Sequence, residues 1–87
     1  MDYSQALYEI KKGKKLARKG WNGKNMFIYY VPEGGYPAHT DIARELENID
    51  GLVPYEAYIA IRTVRGTVVP WLCSQTDMLA EDWYIVE

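Results

Sequence analysis

The chain has 87 residues, 48% of them apolar and 25% charged, a composition that excludes wholesale disorder and leaves room for one hydrophobic core only. A single domain over residues 1–87 is therefore expected, and a two-domain mechanism is excluded. Net charge is −2, from ten Lys and Arg against twelve Asp and Glu, which argues against a general nucleic-acid binder that works by neutralising phosphates.

In chain order, Asp2 and Gln5 have the spacing of a capping box, and Tyr3, Ala6, Leu7 and Ile10 recur at helical spacing before Gly13. This predicts an amphipathic helix over residues 3–12 with a glycine stop. Leu16 to Lys19 reads as a short strand, Gly20 to Gly23 as a turn around Trp21 and Asn22, and Met26 to Val31 as a second strand of a β-hairpin. Alternation puts Phe27 and Tyr29 on one face of that strand and Ile28 and Tyr30 on the other. One face is expected to take the helix, the other a subunit contact or a ligand. Pro32 to Pro54 holds three of the four prolines and two adjacent glycines, with a polar helical stretch from Asp41 to Asn48 that Thr40 can cap. Tyr58 to Val64 and Thr67 to Leu72 flank the turn Arg65-Gly66-Thr67 as a further hairpin, with Pro70 marking an edge or a bulge. Ser74 to Asp82 opens with two candidate caps, Ser74 and Thr76, and precedes a last strand, Trp83 to Val86. The expected fold is α+β: a small antiparallel β-sheet with an N-terminal helix packed on one face and a short helix before the last strand.

Charge is distributed unevenly. Lys11 to Lys24 carries seven cations and no acid, whereas Asp77 to Glu87 carries four acids and no cation. A small anion has a landing zone on the first segment. Three Trp, eight Tyr and one Phe are more rings than a small core hides, so some should line an interface or a pocket, and homo-oligomerisation is expected. The single Cys73 forbids an internal disulfide and points to a reducing, cytoplasmic setting, where it reads as an inert buried thiol. No apolar stretch approaches the ~20 residues of a membrane span, so no membrane partner is expected.

Catalytic inventories come up short. His39 is the only histidine and has no cysteine beside it, so no metal centre is expected; no Walker loop or nucleophile elbow is present, and nothing calls for a cofactor. Glu81 and Asp82 are adjacent, so their side chains diverge, and the pair reads as a solvated charged end.

Two segments remain. In Arg18-Lys19-Gly20-Trp21-Asn22-Gly23-Lys24 glycines flank a large ring and an amide among three cations: Trp21 offers a face on which a base stacks at ~1–3 kcal/mol, and the cations suit phosphates. The same residues would also make a hairpin turn whose ring covers the sheet end and whose cations are solvated. Ser74, Gln75, Thr76 and Asp77 place four hydrogen-bonding side chains at a helix start, where they either meet a polar ligand or cap the helix. Trp71 and Trp83, in extended segments with aliphatic neighbours, read as core rings.

The order of a helix, Ala17 to Lys24, an aromatic strand leading to Val31-Pro32, Thr67 to Trp71, and the block Ser74 to Trp83 resembles the second type of Thoeris anti-defense protein from phages. The likeness covers the chain apart from about Glu33 to Pro54, treated as a variable insert. It implies a cytoplasmic protein of the infected bacterial host that binds a cyclic nucleotide signalling molecule, a cyclic ADP-ribose isomer, and sequesters it without cleavage. Other cyclic oligonucleotides are further candidates, and a homotetramer with pockets between subunits is implied. By that resemblance Trp21 stacks on a base, Asn22 bonds base or ribose, Arg18 or Lys24 meets the pyrophosphate, and Thr76 with Asp77 fixes polar edges, with Phe27 as a further ring and Ser74 and Gln75 as further ligand-binding candidates. A small phosphodiesterase using Asp77 and Glu81 with a bound cation is the competing reading.

Overall fold

In the computed structural model, which describes Met1–Glu87, the first element is helix α1, Tyr3–Lys11. Asp2 accepts from the Gln5 backbone N–H and the Gln5 side chain answers the Asp2 N–H, so the predicted capping box is present. The helix gives way at Gly13, where φ is +93°, a conformation cheap for glycine alone. Ala6 and Ile10, four apart, are both fully buried and are the contact between α1 and the sheet.

Strands β1 (Lys15–Arg18), β2 (Phe27–Val31) and, further along the chain, β5 (Tyr58–Arg62), β6 (Val68–Pro70) and β7 (Trp83–Val86) form one antiparallel sheet in the order β6-β5-β2-β1-β7. Register follows the buried aliphatics: Leu16 faces Ile28 and Ile85, and Ile28 faces Ile61. These side chains share the face against which α1 packs, and with Trp83 they form the core, each buried side chain contributing roughly 1.5–3 kcal/mol. Pro70 lies in β6, an edge strand paired only with β5, where its missing N–H costs no ladder bond. The architecture is α+β, as the sequence pattern indicates.

The opposite face of the sheet carries Ala17, Phe27, Tyr29, Arg62, Val68 and Tyr84, which the ladder registers place side by side. Ala17 and Ala60 are buried there because they are small, while Val68 and Tyr84 are exposed. This face is open.

Residues 32–57 leave and re-enter the sheet at Val31 and Tyr58, which face each other directly across the β2–β5 ladder. Between them lie β3 (Gly34–Tyr36), α2 (Asp41–Arg44) and β4 (Val53–Tyr55), with β3 and β4 forming a two-stranded sheet of their own. Thr40 caps α2 as expected, but the ladder has no sequence signature, since it uses two glycines and Pro54, which strands disfavour. Val53 is the one buried residue of this arm. The radius of gyration is 15.1 Å and the long axis 44 Å, against about 12 Å expected of a compact chain this size, as a protruding arm requires. Helix α3, Gln75–Met78, is a single turn capped by Ser74. Trp71 packs half-buried against the core, and Cys73, expected inside, is also only half-buried because it lies at the rim of a groove with Tyr3 and Trp71. No helix is long and apolar enough to cross a membrane.

Candidate functional site

The end of β1, the start of α3 and the entrance to β7 converge. Arg18 stands opposite Trp83 in the β1–β7 ladder, so its guanidinium reaches Asp82, just before that strand, and Asp77 in α3. Its Nη1 donates to Asp77 Oδ1 at 2.7 Å, and its Nε donates to Asp82 Oδ1 at 2.7 Å. Trp21 Nε1 donates to the same Asp77 Oδ1 at 3.1 Å, and Trp83 Nε1 donates to the Asp77 carbonyl at 2.9 Å. The Gly20 N–H donates to Asp82 Oδ2 at 2.9 Å. Two segments nearly sixty residues apart are thus joined by one guanidinium and two carboxylates.

Charge at this cluster is settled by the pairing. Burial pushes the Asp77 carboxyl up, but the hydrogen bonds from Arg18, Trp21 and Ser74 outweigh it and hold its pKa below the ordinary value. Hydrogen bonding to Arg18 and to the Gly20 N–H holds Asp82 below the ordinary value against a smaller opposing effect of burial, and both carboxylates raise Arg18. Neither carboxyl keeps a proton to give near neutral pH, so neither is placed to act as a general acid. Asp82 is not the solvated end that its neighbour Glu81 suggested: the strand register carries it to Arg18. It is the member of the cluster that sequence reading missed, and only that register reveals it.

Trp21 stands edge-on to Trp83, centroids 5.4 Å apart at 79°, so one part of the indole belongs to the core. It also lines a hollow of about 320 Å³ with Ala17, Arg18, Lys19, Lys24, Met26 and Tyr84, opening onto the uncovered sheet face. Lys24 is therefore brought to Trp21. Asn22 is exposed in the loop between them. Met26 packs beneath the loop: a Cβ on Gly23 would sit 2.2 Å from its sulfur, so a side chain there would have to push the methionine aside.

The other expected site residues are dispersed. Ser74 accepts from the Asp77 backbone N–H at 3.1 Å, the capping role, and Gln75 and Thr76 are exposed on α3. None of the three lines the hollow. Phe27 is on the open face, stacked near Tyr29 with the Lys15 ammonium 5.1 Å above its ring. It lines a neighbouring hollow of about 350 Å³ with Lys15, Tyr29 and Arg62. Lys15, Lys19, Lys24 and Arg62 thus surround the open, ring-bearing face, while no three His, Cys, Asp or Glu side chains converge on a metal position.

The sequence pattern of the Thoeris anti-defense 2-like domain matches residues 1–86. The chain belongs to this family. Thoeris anti-defense 2 of Bacillus phage SP01 is 35% identical over 86 residues, covering 99% of this chain and 94% of that protein. For this Thoeris anti-defense 2-like chain the membership supports a phage anti-defense role.

Proposed function

We propose that the chain binds the cyclic ADP-ribose isomer of Thoeris signalling and withholds it from its effector without cleaving it. The observation that carries this reading is the juxtaposition of the Trp21 ring with Lys19 and Lys24 around one hollow. A base stacks on an aromatic face, and phosphates pair with ammonium groups beside it. Asn22 is free in the same loop to bond base or ribose, and Asp77 keeps the indole in place by accepting its N–H. The carboxylates at the cluster are ionised and spoken for by Arg18, so neither is free to serve as the proton donor of a phosphodiester cleavage.

The hollow is open on one side, and its 320 Å³ is at the lower end of what encloses a nucleotide-sized guest. A second copy laid on the open face would close it and bring another Phe27, or the exposed Ser74, Gln75 and Thr76, to the ligand. A homotetramer is the assembly we propose, in the host cytoplasm.

The test is to incubate the protein with the cyclic ADP-ribose isomer, remove free nucleotide, heat-denature and analyse what is released. Intact ligand in fixed ratio to protomer is expected. Accumulating linear product, or no retained nucleotide, overturns the reading. Light scattering on the same sample checks the fourfold mass.

A further inference from the structure

We propose that Arg18 and Asp82 are positioning residues that hold the Trp21 loop in its binding posture, and that the phosphates of the guest fall to Lys19 and Lys24 alone. This rests on the binding reading above and specifies which of its cations touch ligand.

The bonds form a closed circuit. It starts at the Gly20 N–H on Asp82 Oδ2, passes through the Arg18 guanidinium to Asp77 Oδ1, and returns to the loop at the Trp21 indole N–H. Adjacent loop residues, Gly20 and Trp21, are thereby pinned at both ends of one chain of charge-assisted bonds. The Lys19 N–H adds a bond to the Asp82 carbonyl at 3.2 Å, so the loop is anchored from its first residue. Space at the circuit is tight: a Cβ on Gly20 would meet Asp82 Oδ2 at 3.0 Å and Arg18 Nη2 at 3.1 Å. A side chain at that position would make the carboxylate and the guanidinium give way by a few tenths of an ångström.

Arg18 is consumed by this arrangement. Its side chain is 16% exposed, and its fork engages Asp82 through Nε and Asp77 through Nη1. One cation between two ionised carboxylates leaves a net negative cluster, which repels a phosphate. Lys19 and Lys24 are exposed at the rim of the same hollow and form no ion pair in the structure. A lysine there acts as a point charge that a diphosphate can recruit without breaking any bond.

The experiment compares Arg18→Lys, Asp82→Asn and Lys24→Gln with the parent protein in two measurements. One is the dissociation constant of the cyclic ADP-ribose isomer across a salt series. The other is the Trp21 indole N–H resonance of the free protein, assigned by its loss in Trp21→Phe. Arg18→Lys and Asp82→Asn should displace the Trp21 resonance and weaken binding about tenfold or more, while keeping the parent's salt dependence. Lys24→Gln should leave the resonance in place and flatten the salt dependence. An unmoved Trp21 resonance in Arg18→Lys and Asp82→Asn, or an unchanged salt dependence in Lys24→Gln, overturns the proposal. Gly20→Ala, which crowds the circuit without removing a charge, should displace the same resonance. Should the parent protein bind no such nucleotide, the functional reading fails while the resonance shifts still decide whether the circuit holds the loop.

Discussion

Replacing Trp83 with Phe tests the link between the core and the site. Trp83 is 2% exposed, packs against Tyr3, Trp21 and Trp71 with centroids 5.5, 5.4 and 6.1 Å away, and donates its indole N–H to the Asp77 carbonyl. Phe keeps one ring and loses the other together with the donor. The Asp77 carbonyl keeps the Ala80 N–H at 3.3 Å, so the lost indole bond costs about 0.5–1.5 kcal/mol and the lost apolar volume about 1 kcal/mol more, for a total of roughly 1.5–2.5 kcal/mol. A chain of this length has about 4–13 kcal/mol of stability in all, so the change is large. With an unfolding entropy near 2.1 cal/mol/K per residue, it lowers Tm by roughly 8–14 °C. Urea and thermal unfolding at one fixed protein concentration measure it, with Trp71→Phe as the control. Trp71 is half-buried and its indole N–H makes no hydrogen bond within the protein, so its replacement should cost about 1 kcal/mol or less. Equal costs at the two positions would refute the reasoning that the Trp83 N–H ties α3 to the core.

Alkaline pH gives a second check. Burial, with a smaller contribution from the Cys73 thiol, pushes the Tyr3 phenol up to about 12. A raised pKa in the fold means that this stabilisation is complete below pH ~10 and is lost as pH rises toward 12. Tyr3→Phe should flatten that alkaline loss in a pH series of urea midpoints, and an unchanged slope would contradict the assignment. The arm offers a third. Because Val31 and Tyr58 face each other across the ladder, Asn-Gly in place of residues 32–57 should leave the five-stranded sheet folded, seen as retained near-ultraviolet dichroism and a cooperative melt. A chain that no longer melts cooperatively would show that the arm supports the sheet.

Much of the fold was legible because its signals are local. The capping box at Asp2 and Gln5, the glycine after α1, the alternation in Phe27–Tyr30 and the proline of an edge strand each act within a few residues. The arm's ladder was not legible, since Gly34, Gly35 and Pro54 lack strand propensity and pair only because the arm folds back on itself. Trp21 and Asp77 stood out by residue type and sequence context, whereas the role of Asp82 did not.

The sequence by itself determined the element order, the helix on one sheet face, the family likeness and the Trp21 loop as a place where rings, glycines and cations meet. Tertiary structure alone decided that Asp82 and Asp77 share Arg18, that Phe27 lies on the open face, and that Lys24 rather than Arg18 is left unpaired beside Trp21. The reason is range: a cap or an alternation is set by neighbours along the chain, but an ion pair between residues 18 and 82 exists only once strand register has brought β1 beside β7.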